Sequence, residues 1–157
     1  MIKLIAVDMD GTFLNSQSKY NEARFKEIHS KLDEKGIHFV VASGNQYYQL
    51  KDFFTDYDDI DYVAENGALI RNPEKVYAVH SYPTEAVKAI EKFLFDQLPN
   101  LNFLVCGEQA AYGLDILPER YFKTSSHYYH HLEKVKSFSD IHNKILKFAI
   151  ECPDEKT

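Results

Sequence analysis

Two aspartates one residue apart, Asp8 and Asp10, follow directly on the apolar run Leu4–Val7 and precede Gly11 and Thr12. If that run is a strand, residues two apart at its end point the same way, so both carboxylates reach one reacting centre. One can attack a phosphorus atom while the other protonates the leaving oxygen and then activates water. Two carboxylates facing a phosphate dianion repel it. The chemistry therefore needs a magnesium ion, which takes oxygen ligands and neutralises the charge. Gly11 permits a sharp turn that lets neighbouring N–H groups face phosphoryl oxygens. An Asp pair after a strand can also be a plain turn; the full Asp-x-Asp-Gly-Thr run is what sharpens the signal.

Two further polar turns follow apolar runs: Ser43-Gly44-Asn45 after residues 37–42, and Glu65-Asn66-Gly67 after residues 60–64. In a parallel α/β sheet, ligands bind at the carboxyl ends of the strands, so three such turns on one edge converge on one site. The Ser43 hydroxyl and the Gly44 amide could hold another phosphoryl oxygen; Ser-Gly alone is more often an ordinary loop, and its place after the second strand is what favours the site. Asn66-Gly67 reads both as a turn and as a wall of the site. His127, His130 and His131 lack an accompanying carboxylate or cysteine pattern and read as solvated surface, not as a metal centre. Tyr47 and Tyr48 read as packing.

The elements that must position these turns alternate. A strand over Leu4–Val7 is expected to be buried on both faces. A helix over residues 21–35 carries Phe25, Ile28 and Leu32 at helical spacing, with Asn21 as its cap and Gly36 at its end. Residues 37–42 form a second strand, 46–54 a short helix and 60–64 a third strand. That order predicts a parallel sheet with crossover helices. After Gly67 the rhythm changes. Residues 68–70 and 76–80 flank a turn and read as a hairpin. A helix opening at Pro83-Thr84 has Val87, Ile90, Leu94 and Leu98 on one stripe. Strands are expected over 101–106, 110–114 and 145–152, with helices near 118–125 and 139–144. The second half reads as a separate α+β region.

Composition sets outer bounds. The 157 residues suffice for one domain, or one domain and part of another, and eleven Tyr and eleven Phe supply material for a core. A net charge of -6 argues against a general nucleic-acid binder but not against a small anionic ligand held by backbone amides. Cys106 and Cys152 stand far apart with no paired-cysteine spacing, which predicts reduced thiols. The start turns acidic after a short apolar run, so neither a signal peptide nor a membrane span is expected. The expectation is a cytoplasmic protein with no nucleic-acid or membrane partner.

The residues also resemble a known family. Ile5 to Asn15 is similar to the first motif of haloacid-dehalogenase-type phosphatases of the Cof subfamily, and Val40 to Tyr48 to the second. Asn45-Gln46, where most members carry Arg, together with Val63 to Leu69, resembles the bacterial sugar-phosphate phosphatase branch. The resemblance implies a partial Rossmann-like parallel three-layer core over 1–81, with an inserted α+β cap domain from 82 to 157. It implies Asp8 as nucleophile and Asp10 as general acid and then base. Magnesium would be held by the Asp8 carboxylate and the Asp10 carbonyl. The residues binding phosphate or substrate would be Met9, Gly11, Thr12, Ser43, Gly44, Asn45, Asn66 and Gly67. The substrate would be a small phosphorylated metabolite, and the cap would set its choice and exclude water.

The resemblance further implies about another hundred residues with a third-motif Lys and a fourth-motif Gly-Asp-x-x-x-Asp. Neither motif is present, and Lys147 and Lys156 do not fit the third. The expectation is a truncated chain whose C-terminal core segment is absent and whose open edge beside the Asp8 strand leads it either to associate with a second copy or to be poorly stable. Two rivals stand beside the enzyme reading. One is an impaired fragment acting only as a phosphate- or metal-binding or assembly module. The other is a phosphoacceptor receiver domain, disfavoured because its acidic pair and acceptor lie on different strands.

Overall fold

A computed structural model describes residues 1–152; positions 153–157, which include Lys156 and the end of the expected second domain, lie outside the described residues. The chain forms two compact units, Met1–Ala78 and a second from Val79 onward.

In the first unit, strand β1 (Leu4–Val7), helix α1 (Glu22–Glu34), β2 (His38–Ala42), α2 (Tyr47–Asp52) and β3 (Asp61–Ala64) follow in order. β4 (Leu69–Arg71) and β5 (Val76–Val79) complete a five-stranded sheet of order β1-β2-β3-β4-β5. β1 and β2 pair in parallel, as do β2 and β3, while β4 turns back antiparallel on β3. This is an α/β, Rossmann-like arrangement.

Local chemistry sets the element ends. The Asn21 side chain accepts from the Arg24 N–H at 3.0 Å and caps α1. Gly36, at φ +61, takes the left-handed turn that closes it. The Asn72 side-chain oxygen accepts from the N–H groups of Glu74 and Lys75 at 3.0 and 2.7 Å, shaping the β4–β5 turn.

One face of the sheet carries an aromatic core. Phe25 of α1 is surrounded by the rings of Phe13, Tyr20, His29, Phe39, Phe54 and Tyr57, with centroids 5.0 to 5.6 Å away. Tyr47 of α2 meets Tyr62 of β3 at 5.3 Å. Such ring pairs add to the hydrophobic gain of burial.

The expectation that β1 is buried on both faces needs correction. Its burial alternates, with Leu4 53% exposed. In register Ile5 and Val7 lie beside Phe39 and Val41, on the face that α1 and α2 cover. Leu4 and Ala6 lie beside His38 and Val40, on the other face. Among the described residues both remain exposed there.

The second unit holds helix α3 (Thr84–Gln97), β6 (Phe103–Gly107), β7 (Ala111–Leu114), α4 (Glu119–Ser125), β8 (Leu132–Val135) and β9 (Ile145–Ile150). Its sheet has the order β8-β7-β6-β9. β6 is buried along its whole length because both faces are covered. Phe103 and Val105 pack with Leu94 of α3, whereas Leu104 and Cys106 pack with Tyr121 of α4.

Two details differ from expectation. The helix expected over 139–144 is a single turn, Phe138–Asp140, in which Ser137 and Asp140 cap one another reciprocally. Ile141 is already extended and leads toward β9. β8 was not expected at all. Its two apolar residues, Leu132 and Val135, sit at its ends with Glu133 and Lys134 exposed between them, so no alternation marks it. Among the described residues no helix is long and apolar enough to cross a membrane.

Candidate active site

The chain leaves β1 at Asp8 and enters one wide turn, Met9–Phe13. The turn closes when the Phe13 N–H donates to the Asp8 carbonyl at 3.2 Å and the Leu14 N–H donates to the Met9 carbonyl at 2.9 Å. It contains non-helical residues, and Gly11 stands at φ +69, a region costly for any side chain. Burial sorts the side chains of the turn. Met9 and Leu14 are buried, while Asp8, Asp10 and Thr12 are exposed. Phe13 joins the aromatic core, its ring 5.4 Å from Phe25 and 5.8 Å from Phe54. The two carboxylates are thus carried on a turn nailed down by three apolar side chains.

Each carboxylate has a distinct donor. The Thr12 hydroxyl donates to Asp8 Oδ2 at 3.1 Å. The Asn45 side-chain amide donates to Asp10 Oδ2 at 2.7 Å, bridging from the turn after β2. The Asn45 backbone N–H donates to Ser43 Oγ at 3.2 Å. Its carbonyl accepts from the Glu65 N–H at 3.0 Å.

The third turn is a rigid brace. Glu65, Asn66 and Gly67 stand in succession at φ +53, +58 and +88. The left-handed region costs a residue such as glutamate roughly 1–2 kcal/mol, so packing must hold it there. Packing does: Glu65 is only 2% exposed. The Asn66 N–H reaches the Ser43 carbonyl at 3.4 Å. A Cβ on Gly44 would lie 2.5 Å from Asn66 Oδ1, so glycine allows these two turns to approach.

The three turns therefore come together at the carboxyl ends of β1, β2 and β3. Among the residues expected to bind phosphate, Met9 has a buried side chain and retains only its backbone for that purpose. Asn45 engages Asp10, a partner the sequence did not suggest. Asn66 lies against Gly44. Sequence reading passed over Glu65 and Gln46 as individuals, yet both are buried. A glutamate following an apolar strand end directly was the available signal.

The donors exposed at the first turn are oxygens of aspartate and threonine. They suit a hard divalent cation and not a soft one. Among the described residues no group of three His, Cys, Asp or Glu side chains gathers to hold a metal by itself.

This strand-end geometry agrees with the comparisons. A family model described as haloacid dehalogenase-like hydrolase matches residues 5–157, and the chain belongs to that family. Over 155 residues it is 39% identical to the 5-amino-6-(5-phospho-D-ribitylamino)uracil phosphatase YbjI of Escherichia coli strain K12. That match covers 98% of this chain and 57% of the relative. The crystal structure of SMU.1108c from Streptococcus mutans UA159 superposes with a TM-score of 0.89 at 34% identity. It is matched over 99% of this chain and 59% of its own. A haloacid dehalogenase-like hydrolase from B. subtilis shares the fold at a TM-score of 0.78 and 20% identity, over 99% of this chain and 64% of its own. The chain thus spans less than two thirds of the length of these relatives.

Proposed function

We propose that this chain carries the reacting residues of a magnesium-dependent phosphate-monoester hydrolase acting on sugar phosphates or similar small phosphometabolites. The observation that carries the reading is the pair of exposed carboxylates at one strand end, each held by its own donor. Asp8 is bound by Thr12 and Asp10 by Asn45.

In this reading an Asp8 carboxylate oxygen attacks phosphorus and the bond from phosphorus to the ester oxygen breaks. Asp10 delivers its proton to the leaving alkoxide, so that an alcohol departs. Asp10, now ionised, takes a proton from water as that water attacks the aspartyl phosphate, releasing inorganic phosphate and restoring both groups. Backbone N–H groups of the turn from Met9 to Thr12, with Ser43 and Gly44, orient the phosphoryl oxygens. Asn66 and Gly67 brace that wall. Magnesium held by the Asp8 carboxylate and the Asp10 carbonyl would supply neutralisation of the phosphate charge. The unit from Val79 onward is assigned the role of a cap that selects substrate. The relative named for a phosphoribitylamino compound supports a phosphate carried on a small polyol or sugar chain.

The partial coverage of its relatives keeps a second reading in view, in which this chain only binds phosphate or metal, or assembles with a second copy through β1. Phosphate release from a sugar phosphate and from an activated phenolic ester, with and without magnesium, separates the two. The hydrolase reading expects magnesium-dependent release. It further expects Asp10→Asn to slow the sugar phosphate by about 10²–10⁴-fold and the phenolic ester by less. Equal losses on both esters would remove Asp10 from the proton-transfer role.

A further inference from the structure

We propose that Asn45 is the positioning residue for Asp10, and that its side chain acts on the carboxylate instead of on the phosphoryl group. The inference rests on the reading that Asp10 carries the proton to the leaving group. Asn45 Nδ2 lies 2.7 Å from Asp10 Oδ2, at the short end for an N–H donor and within the range of a charge-assisted bond. Asp10 is exposed, so without this bond its carboxylate would be free to rotate in solvent.

Asn45 is itself immobilised on both sides of its peptide. Its N–H is bonded to Ser43 Oγ and its carbonyl receives the Glu65 N–H. Glu65, itself buried, in turn opens the run of left-handed residues. The orientation of Asp10, on the turn after β1, is therefore referred to the ends of β2 and β3.

The chemistry favours an amide at this position. Asp10 must be protonated when the alcohol leaves and ionised when water attacks. A neutral N–H bonded to one oxygen accommodates both states and leaves the other oxygen to exchange the proton. A guanidinium would favour the ionised state and disfavour the first of these steps.

The test has two arms on the whole chain. In the kinetic arm, Asn45→Ala is expected to lower kcat for an alkyl phosphate by about 10- to 100-fold, with a smaller loss on an activated phenolic ester and little change in KM. Asn45→Arg is expected to lower kcat on the alkyl ester more than on the phenolic ester, because the guanidinium disfavours protonated Asp10. A rise in KM with kcat unchanged would make Asn45 a phosphate ligand and overturn the proposal. The second arm needs no turnover. The Asn45 side-chain amide of nitrogen-15-labelled protein, assigned by its loss in Asn45→Ala, should exchange its protons with water more slowly than an exposed amide and lose that protection in Asp10→Ala, which removes the acceptor. An amide that exchanges alike in both proteins overturns the positioning role. An inactive wild type with a protected amide would instead count against the hydrolase reading alone.

Discussion

Thr12 and Asp8 are tied together within a single turn: the Thr12 hydroxyl donates to Asp8 Oδ2 at 3.1 Å while the same turn closes on the Asp8 carbonyl. The bond fixes the rotamer of a side chain that is otherwise exposed, and in the proposed mechanism Oδ1 is the oxygen that attacks. Thr12→Val keeps the branched shape and removes the donor. We expect turnover to fall about tenfold, the effect of about 1.4 kcal/mol, with Thr12→Ser restoring most of it. Unchanged turnover in Thr12→Val would show that the nucleophile needs no such restraint.

The turn that bears the aspartates is anchored through Phe13 to the ring cluster around Phe25. Phe25 is 3% exposed and touches six other rings, so its removal leaves a cavity that neighbours cannot fill. Phe25→Ala should cost about 3–5 kcal/mol of stability, read by chemical denaturation with near-ultraviolet circular dichroism. Phe25→Leu should recover part of that loss. A cost below about 1 kcal/mol would mean that the cluster is not the core of the first unit.

Alkaline pH probes the same cluster from another side. Burial, helped by Tyr57, Glu22 and Asp56, pushes the Tyr20 hydroxyl up to about 12, and burial raises Tyr62 as well. The unfolded chain ionises its tyrosines near about 10. Between about 10 and about 12, then, the unfolded state has lost protons that the folded state keeps. The stabilisation is full below about 10 and is lost as pH rises toward about 12. Melting temperatures over that window should fall, and Tyr20→Phe should make the fall shallower. The same variant loses the Tyr20 hydrogen bond to the Phe53 carbonyl, so it should be less stable at neutral pH by about 1 kcal/mol. An equal slope in both proteins would remove Tyr20 from the alkaline transition.

Much of the first unit was legible because its signals are local and strong. Branched apolar runs between polar turns marked β1, β2 and β3, and Asn21 caps α1 as its type suggested. The burial of β1 was not legible. Its residues read alike on both faces, and only the placement of α1 and α2 tells Ile5 from Leu4. β8 escaped because Leu132 and Val135 flank two charged residues instead of alternating with them. At the site, spacing singled out Asp8 and Asp10 as candidates but could not show that Asn45 reaches across to Asp10. That contact joins turns 35 positions apart and depends on the parallel pairing of β1 with β2. Glu65 in a left-handed conformation was equally hidden, since its packing, and not its own preference, puts it there.

The central claim is that Asp8 accepts the phosphoryl group, and rapid-quench trapping with a phosphate ester labelled in its phosphoryl group tests it most directly. The account predicts label on the chain in a bond that hydroxylamine cleaves, recovered on the peptide containing Asp8 and lost in Asp8→Asn while the variant's circular dichroism matches the wild type. Labelled protein in Asp8→Asn, or magnesium-dependent turnover of that variant at more than about a hundredth of the wild-type rate, would contradict it.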